Sequence, residues 1–411
     1  MTTAKKLTYD DIKHPINLDQ REFVDNKLAF YQWLREEAPV YKGKVNLLKA
    51  HFVSRYEDCL LVLKDARFVR NRTTATGGRR NPIPLPKILK PLVENMLNED
   101  GHEHRRLRTL VHKAFTPRAM RKLENRIQSL THELLDEIEK QGEVDLIQAY
   151  ALPIPVAIIS EMLGVRDEDR DALQEGVNTL TQGFSGWKAI PTLLFGMPRL
   201  VKLTQKLIAQ KRVNPADDIL TSLVQAEQEG DRLTEDELVT IICVLIIGGY
   251  ETTVHLISNG VVTLLQHPEQ LAKLRAEPEL MPDAVEELLR FSGPVTVTER
   301  SYTTEDITLH GVTIPKGEVV LPLLGAANRD PAVFDNPDTF DITRTPNKHL
   351  GFGQGIHYCL GAPLARIETQ IALGALLDRN PNLRLAVNPS ELKFARSMGL
   401  HNYESLPVVL G

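Results

Sequence analysis

The chain has 411 residues, an apolar share of 42% and a formal net charge of −5. This composition is sufficient for a large buried core, and the mildly acidic balance gives no electrostatic argument for binding nucleic acid or an anionic membrane. Three well separated cysteines, Cys59, Cys243 and Cys359, argue against a disulfide framework and indicate a reducing compartment.

The N-terminal end gives no sign of an export signal. Residues 1–11 are polar and lack the apolar run of a signal peptide. The apolar run at residues 241–249 is nine residues long, far short of the roughly 20 that a membrane-spanning helix needs. We therefore expect a cytoplasmic protein that does not associate with membranes.

The first 100 residues mix short elements of both kinds. Apolar residues at helical spacing predict helices over 28–34 and from about 56 to 64. Strand candidates lie between these helices at 40–41 and 51–53. Residues 70–93 are polar at first and then rich in proline, which is typical of a loop.

Residues 102 to 290 follow an almost entirely helical pattern. The helices are predicted at 102–115, 117–140, 151–163, 167–182, 190–211, 216–228 and 235–266. After residue 290, short apolar runs alternate with glycine and proline turns, a pattern that indicates strands. These strands are predicted at 295–298, 307–309, 312–314, 319–321 and 406–409, with a last long helix over 362–378. The sequence thus indicates a mainly α, helix-rich protein with small β-sheets, and we expect a single domain over 1–411.

The longest predicted helix carries an internal conflict. Thr234 and Glu237 have the spacing of a capping box, so the helix begins there and can run to about residue 266, roughly 45 Å. Gly248 and Gly249 lie in its middle and should destabilise it by about 1–2 kcal/mol together. A local conflict inside a strongly apolar helix indicates a functional site, where a locally opened helix admits a flat ligand.

A glycine-rich loop precedes the last cysteine. Gly351, Gly353 and Gly355 alternate before Cys359, and Pro363 marks the start of a helix. The free N–H groups and the dipole of that helix start favour a thiolate, which is suited to bind iron. A dinucleotide-binding loop fits less well, because no strand precedes the glycines and their spacing is G-x-G-x-G. A glycine-rich turn with an incidental buried cysteine is the other alternative.

This loop resembles the haem-ligand signature of the cytochrome P450 family, Phe-Gly-x-Gly-x-His-x-Cys-x-Gly. Every fixed position is matched, by Phe352, Gly353, Gly355, His357, Cys359 and Gly361. The resemblance implies the cytochrome P450 fold and a haem b (iron protoporphyrin IX) whose iron has Cys359 as its axial ligand. A thiolate ligand favours cleavage of the O–O bond. The lack of an evident N-terminal anchor is similar to the soluble bacterial members.

A second stretch resembles the oxygen-binding motif of the same family. It runs from Gly248 to Thr253, with glycine at position 248 where many members have alanine. The resemblance implies that Glu251 and Thr252 relay protons to the co-substrate O2. A hydroxyl both donates and accepts, and a carboxylate can recharge the relay from solvent. The alternative is a threonine pair packed in a core helix beside a solvated glutamate.

Haem carries two propionates, so cationic donors are expected. Those that match family positions are His104, Arg108, Arg300 and His357. His104 and Arg108 are four residues apart and share a helix face, although a solvated basic face would look the same. A zinc site from His102, His104 and His112 lacks a recognised ligand spacing.

Glu287 and Arg290 form a Glu-x-x-Arg pair about seventy residues before Cys359. In the resembled family this pair and a later arginine, here Arg344, form a buried network. We assign these three residues to folding and to the integrity of the haem pocket.

The resemblance implies a monooxygenase that hydroxylates or epoxidises a medium-sized lipophilic molecule. Electrons would come from NAD(P)H through a ferredoxin and a ferredoxin reductase, since the chain has no evident flavin or iron–sulfur domain. Val244, Ile247 and Thr296 are the proposed substrate-lining residues, with the loops at 70–98 and 183–198 and the turn near 398–400. A basic docking patch for the electron donor is expected at Arg105, Arg106, Lys113, Arg118, Arg121 and Lys122.

Two other functions are open at this point. The first is a peroxygenase driven directly by hydrogen peroxide, against which the Glu251–Thr252 pair argues because that relay serves O2. The second is a non-catalytic haem-binding or sensor protein, which an intact relay also disfavours.

Overall fold

The computed structural model describes residues 7–78, 95–166, 168, 169, 173, 176, 196–226, 233–395 and 399–411. These residues form two compact units. The first unit comprises Met1–Pro82, Val262–Cys359 and Lys393–Glu404, and the second comprises Ile83–Val261, Leu360–Leu392 and Ser405–Gly411. The expectation of one domain over 1–411 stays a prediction.

Helices dominate the described chain, which confirms the predicted mainly α class. In chain order they are α1 (Arg21–Asp25), α2 (Lys27–Glu37), α3 (Tyr56–Lys64), α4 (Arg72–Thr76), α5 (Gly101–Ala114), α6 (Pro117–Ile138), α7 (Pro153–Met162), α8 (Met197–Val213), α9 (Ile219–Ala226), α10 (Glu235–Gln266), α11 (Pro268–Ala276), α12 (Met281–Phe291), α13 (Leu324–Ala327) and α14 (Ala362–Arg379). A π-helical turn, Ile147–Ala151, precedes α7.

The strands are short, as predicted. In chain order they are β1 (Val40–Val45), β2 (Leu48–Val53), β3 (Phe68–Val69), β4 (Glu143–Asp145), β5 (Ser301–Thr303), β6 (Ile307–Leu309), β7 (Val312–Ile314), β8 (Val319–Pro322), β9 (Arg384–Leu385) and β10 (Pro407–Val409).

The first unit contains a five-stranded sheet in the order β1-β2-β8-β5-β3, together with the β6–β7 hairpin. β1 and β2 are antiparallel with Val40 opposite Val53, and β2 runs parallel to β8. Apolar side chains of α2 and β2, among them Trp33, Leu34 and Phe52, form a buried cluster with residues of β8. Burial of such side chains is the main favourable contribution to folding.

The second unit is built around α6, α10 and α14, with a small sheet in the order β4-β10-β9. Thr116 caps α6 by accepting a hydrogen bond from the backbone N–H of Ala119, 3.2 Å, and Pro117 occupies the first turn. The Tyr150 hydroxyl donates to the carbonyl of Ala372 in α14 at 2.7 Å. The Thr116 cap and Pro117 are local signals, and they explain why the predicted start of α6 is correct.

The capping box of α10 is confirmed. The backbone N–H of Thr234 donates to Glu237 Oε2 at 2.6 Å, and the N–H of Glu237 donates to Thr234 Oγ1 at 3.2 Å. α10 then runs without interruption through Gly248 and Gly249, so the predicted local opening is not found. By length and composition α10 could span a membrane, but 61% of its apolar window is buried inside the protein, as expected of a core helix.

One predicted strand is wrong. Over 295–298, Val295 makes a single isolated bridge with Leu400, and the N–H groups of Thr296 and Thr298 donate to Gly399 and Pro322. These donors go to separate partners, so no strand ladder forms. The predicted loop at 70–93 begins with α4, and its part from residue 79 onward lies outside the described residues. Most of 167–182 and of 183–198 also lies outside them.

Candidate active site

The glycine loop in the first unit folds around two backbone hydrogen bonds. The N–H of Gly353 donates to the carbonyl of Leu350 at 2.8 Å, and the N–H of Cys359 donates to the carbonyl of Phe352 at 2.9 Å. Gly353 and Gly355 have φ of 69° and 74°, in the left-handed region that favours glycine. A Cβ at Gly355 would lie 2.3 Å from the carbonyl oxygen of Leu63, so a larger residue cannot fit there.

The three cysteines differ in exposure. Cys59 and Cys243 are buried, and burial raises the pKa of both thiols, that of Cys243 to about 11. Cys359 is exposed. It lies three residues before α14, whose start with Pro363 in the first turn was predicted. Cys359 is therefore the cysteine that can offer its sulfur to a ligand.

Three further predicted residues belong to the first unit with Cys359. His357 is half-buried in the glycine loop, and Arg300 is exposed directly before β5. Thr296 is buried, and its backbone N–H and hydroxyl both donate to the carbonyl of Gly399, at 2.8 and 3.0 Å.

The predicted charge network also lies in the first unit and is confirmed. Arg290 donates two hydrogen bonds to Glu287, each 2.7 Å, and Arg344 Nε donates to the same carboxylate at 3.2 Å. Asn347, which the sequence analysis did not include, donates to Glu287 as well.

The other predicted residues belong to the second unit, and four of them share one side of α10. Between Leu238 and Leu264, the residues that are not fully buried are 244, 245, 247–249, 251 and 252. Val244, Ile247, Gly248, Glu251 and Thr252 have the spacing of one helix face. We call these five residues the open face. Apart from its chain neighbours and the backbone of α10 itself, no described residue has an atom within 4 Å of where a Cβ of Gly248 would be.

Burial shifts the pKa of the acid on the open face. The carboxyl of Glu251 has its pKa raised from 4.5 to about 7, because burial disfavours its charged form. His255 follows one turn later, with Nε2 4.0 Å from Glu251 Oε1, and burial lowers the pKa of its imidazole to about 4. The Thr252 hydroxyl donates to the carbonyl of Gly248 at 2.8 Å. Glu251 can thus hold or release a proton near neutral pH.

Sequence reasoning missed a second buried acid, which lies near the stretch from Gly248 to Thr253. Glu368 on α14 is 2% exposed, and burial raises the pKa of its carboxyl to about 8, with a hydrogen bond from Thr253 acting in the opposite direction. Glu368 precedes Ala372 and Leu376 at intervals of four, and both are fully buried. An acid on this apolar face was the signal that could have revealed it.

His104 and Arg108 lie on α5. His104 is buried, and burial together with the Arg108 charge lowers the pKa of its imidazole to about 4. Arg108 is half-buried one turn further on. Arg106 on the same helix contacts Glu237 at the start of α10 and thereby joins α5 to α10. Among the described residues no group of histidine, cysteine and acidic side chains could hold a metal ion, which contradicts the zinc alternative.

Comparisons with known proteins identify the family of this chain. The family model described as Cytochrome P450 matches residues 14–380. The chain belongs to the cytochrome P450 family. It is a cytochrome P450 monooxygenase, an oxidoreductase, as its curated relatives are.

Three relatives show how far the similarity to this P450 extends. The polyketide biosynthesis cytochrome P450 PksS of Bacillus subtilis (strain 168) is 37% identical over 95% of this chain and 97% of its own length. The solved structure of PksS has a TM-score of 0.89, covering 97% of this chain and all (100%) of that one. The mycinamicin IV hydroxylase/epoxidase of Micromonospora griseorubida is 40% identical over 92% of this chain and 94% of its own length.

The third relative was solved with a protein partner. It is P450BioI in complex with an acyl carrier protein ligated to hexadec-9Z-enoic acid, and it is 40% identical with a TM-score of 0.84. The similarity covers 95% of this chain and 99% of that chain.

Membership of the P450 family implies a haem-thiolate cofactor and the use of O2. In the first unit, Cys359 offers an exposed sulfur, and Arg300 and His357 are potential donors to carboxylates. In the second unit, His104 and Arg108 are potential donors of the same kind, and the open face of α10 leaves space in front of Gly248. These residue types fit a haem-thiolate group. The individual roles of these residues stay predictions.

Proposed function

We propose that this P450 hydroxylates or epoxidises a medium-sized lipophilic molecule, with Cys359 as the axial ligand of haem iron. The observation that carries the proposal is the exposed thiol of Cys359 at the end of a glycine loop whose shape only glycine at position 355 permits. The bound haem would supply the activation of O2 and the insertion of one oxygen atom into the substrate.

The other side chains of the proposed site hold the cofactor and move protons. His104, Arg108, Arg300 and His357 would donate hydrogen bonds to the haem propionates. Burial and the Arg108 charge lower the pKa of His104, and a neutral imidazole still carries one N–H that can donate.

Glu251 and Thr252 would deliver protons to the co-substrate O2. The pKa of Glu251, about 7, suits a group that both releases and regains a proton at neutral pH. The Thr252 hydroxyl, which donates to Gly248 here, has to turn away from that carbonyl to pass a proton onward.

The substrate is proposed to contact Val244, Ile247 and Thr296. Val244 and Ile247 are apolar and incompletely buried, which favours a lipophilic ligand. The relatives include a polyketide biosynthesis P450, a mycinamicin IV hydroxylase/epoxidase and a P450 solved with a fatty acid on a carrier protein, and we propose a polyketide, macrolide or fatty acyl substrate for this chain.

A carrier-bound acyl chain is a second candidate form of the substrate. The observation that favours it is the solved P450BioI complex, in which the fatty acid is ligated to an acyl carrier protein. A free acid and the same acid on a carrier protein should then differ in affinity, and the carrier-bound form should bind more tightly.

Electrons are proposed to come from NAD(P)H through a ferredoxin and its reductase in the cytoplasm. Lys113, Arg118 and Lys122 are exposed on the second unit, and among the described residues Arg118 and Lys122 form ion pairs with the exposed Asp217. Exposed ion pairs contribute little, so these cations can exchange Asp217 for an acidic donor. Replacing all three by Glu should raise the apparent Michaelis constant for the ferredoxin at low salt, and unchanged donor kinetics would refute the patch.

The experiment that tests the proposed monooxygenase function combines a spectrum with a binding screen. The dithionite-reduced protein should give a strongly red-shifted Soret band with carbon monoxide, and candidate substrates should then shift the Soret band of the ferric protein. Turnover with ferredoxin, reductase and NAD(P)H should exceed turnover with hydrogen peroxide. Equal turnover with peroxide would favour the peroxygenase, and binding without any turnover would favour the sensor.

A further inference from the structure

Lys27 is a buried cation with no part in the proposed chemistry. It is the first residue of α2, its side chain is 9% exposed, and its ammonium donates to the carbonyl of Leu400 at 2.8 Å. The same ammonium lies 5.9 Å from the centre of the Phe394 ring. Burial lowers the pKa of Lys27 to about 8, although the nearby Asp25 charge acts in the opposite direction.

The residues that Lys27 contacts belong to a pair of extended segments, 393–395 and 399–404, which we call the C-terminal pair. The N–H of Ala395 donates to Asn402, and the N–H of Glu404 donates to Lys393, both at 2.9 Å. The Phe394 ring stacks on Tyr403 with 4.8 Å between the ring centres.

A second cation from the N-terminal helices holds the same pair. Arg21 of α1 donates through Nη1 to the carbonyl of Phe394 at 2.8 Å. Two cations from α1 and α2 thus each bind one carbonyl of the C-terminal pair.

The C-terminal pair in turn fixes residues 294–297. The N–H of His401 donates to the carbonyl of Pro294 at 2.7 Å, and Thr296 donates twice to the carbonyl of Gly399. A Cβ at Gly399, whose φ is 75°, would lie 3.3 Å from Val297. Leu400, whose carbonyl accepts from Lys27, lies between Gly399 and His401 in the chain. Both of these neighbours bind the segment 294–297, which carries Thr296.

Folding stability alone does not explain a cation at this position. Burying an ammonium is costly, and one hydrogen bond, one distant ring and the nearby Asp25 charge offset that cost only in part. An apolar side chain of similar length, such as methionine, would avoid the cost. Buried charges that are retained in this way can serve to fix one arrangement of the groups around them.

We propose that Lys27 is a positioning residue that holds Gly399 and Leu400 against Thr296 and thereby determines which lipophilic ligands the P450 binds. The proposal rests on the proposed function, because it uses the assignment of Thr296 to the substrate pocket. Lys27 itself touches neither substrate nor haem in this proposal.

The test measures two ligands on the holoenzyme. Imidazole needs little more than access to the iron, whereas the phenyl group of 4-phenylimidazole also contacts the pocket wall. Both are titrated by their shift of the Soret band in wild type, Lys27→Met and Lys27→Arg, with Lys49→Met as the control at an exposed lysine. We expect Lys27→Met to change the Kd of 4-phenylimidazole about tenfold, with the Kd of imidazole within about twofold of wild type. Lys27→Arg keeps a cation at this position, so its Kd for 4-phenylimidazole should lie much closer to that of wild type than to that of Lys27→Met.

Hydrogen exchange supplies a readout that does not depend on haem. Peptides covering 294–297 and 399–404 should exchange faster in Lys27→Met, while a peptide from the middle of α10 should be unchanged and thus show an intact fold. Unchanged exchange in both segments would overturn the proposal. An equal change in Kd for both ligands, or no change for either, would also overturn it. If the wild-type protein lacks the red-shifted carbon monoxide band, the proposed function fails, and the exchange result still decides whether Lys27 positions the pair.

Discussion

Glu287 and Arg290 lie one helical turn apart on α12 and are joined by two hydrogen bonds of 2.7 Å, with both side chains fully buried. The guanidinium of Arg290 also donates to the carbonyls of Asn328, Pro337 and Thr339. A single buried ion pair thus fixes the irregular segment between α13 and the glycine loop.

Replacing Glu287 by glutamine should strongly destabilise the protein. The variant leaves Arg290 buried without its carboxylate, and breaking a buried pair in this way costs about 3–5 kcal/mol. Urea denaturation should show this loss in the free energy of unfolding, and haem incorporation should fall with it. Glu279→Gln, at an exposed position nearby, should stay within about 0.5 kcal/mol of wild type. A similar small loss for both variants would contradict the structural role.

Glu368 should make stability depend on pH. Its pKa is about 8 when folded against an ordinary 4.5, so between these values the folded protein holds a proton that the unfolded chain has lost. Stability therefore falls as pH rises through this window, with a slope of up to about 1.4 kcal/mol per pH unit, and no difference arises below it.

Glu368→Gln cannot ionise and removes this dependence. Urea denaturation at about pH 5, 6.5 and 8 should show that the free energy of unfolding of the variant increases relative to that of wild type as the pH rises. Glu235→Gln, at an exposed position on α10, should run parallel to wild type. Parallel curves for Glu368→Gln as well would mean that its carboxyl is ionised in the folded protein.

Cys359→His should abolish the red-shifted Soret band of the reduced carbon monoxide complex, because an imidazole replaces the thiolate as ligand. The matched control is Cys243→Ala, which removes a buried thiol from α10. The control should keep the band of wild type. The same band in wild type and Cys359→His would exclude Cys359 as the iron ligand.

Features that depend on neighbouring residues in the chain were accessible from the sequence. The capping box of Thr234 and Glu237, the start of α14 and the glycine loop before Cys359 all arise from local backbone preferences. The Glu287–Arg290 pair is similarly local, although its burial followed from the family resemblance and not from its spacing.

Features that depend on distant partners were not accessible. The reason for glycine at 355 is the carbonyl of Leu63 on α3, and the partner of Lys27 lies 373 residues away. The pKa of Glu251 is shifted by burial, which the sequence does not specify for one residue of a helix. The wrong strand at 295–298 has the same origin, since its backbone donors bind Gly399 and Pro322.

Glu251→Gln should remove a pH dependence from the reaction. The carboxyl of Glu251 has a pKa of about 7, so the fraction that carries a proton falls as pH rises through that value. If this proton serves O2, the product formed per NAD(P)H consumed by wild type should fall above about pH 7. Glutamine cannot supply this proton, so the variant should turn over about 100-fold more slowly. Its pH profile should show no inflection near neutral pH.

The measurement is the pH profile of product per NAD(P)H with the best substrate from the binding screen. Glu235→Gln removes an exposed carboxylate from the same helix and should keep the wild-type profile. Glu251→Asp retains an ionisable group on a shorter side chain and should keep an inflection while losing part of the rate. An inflection that persists near neutral pH in Glu251→Gln would assign the inflection to another group and contradict the prediction.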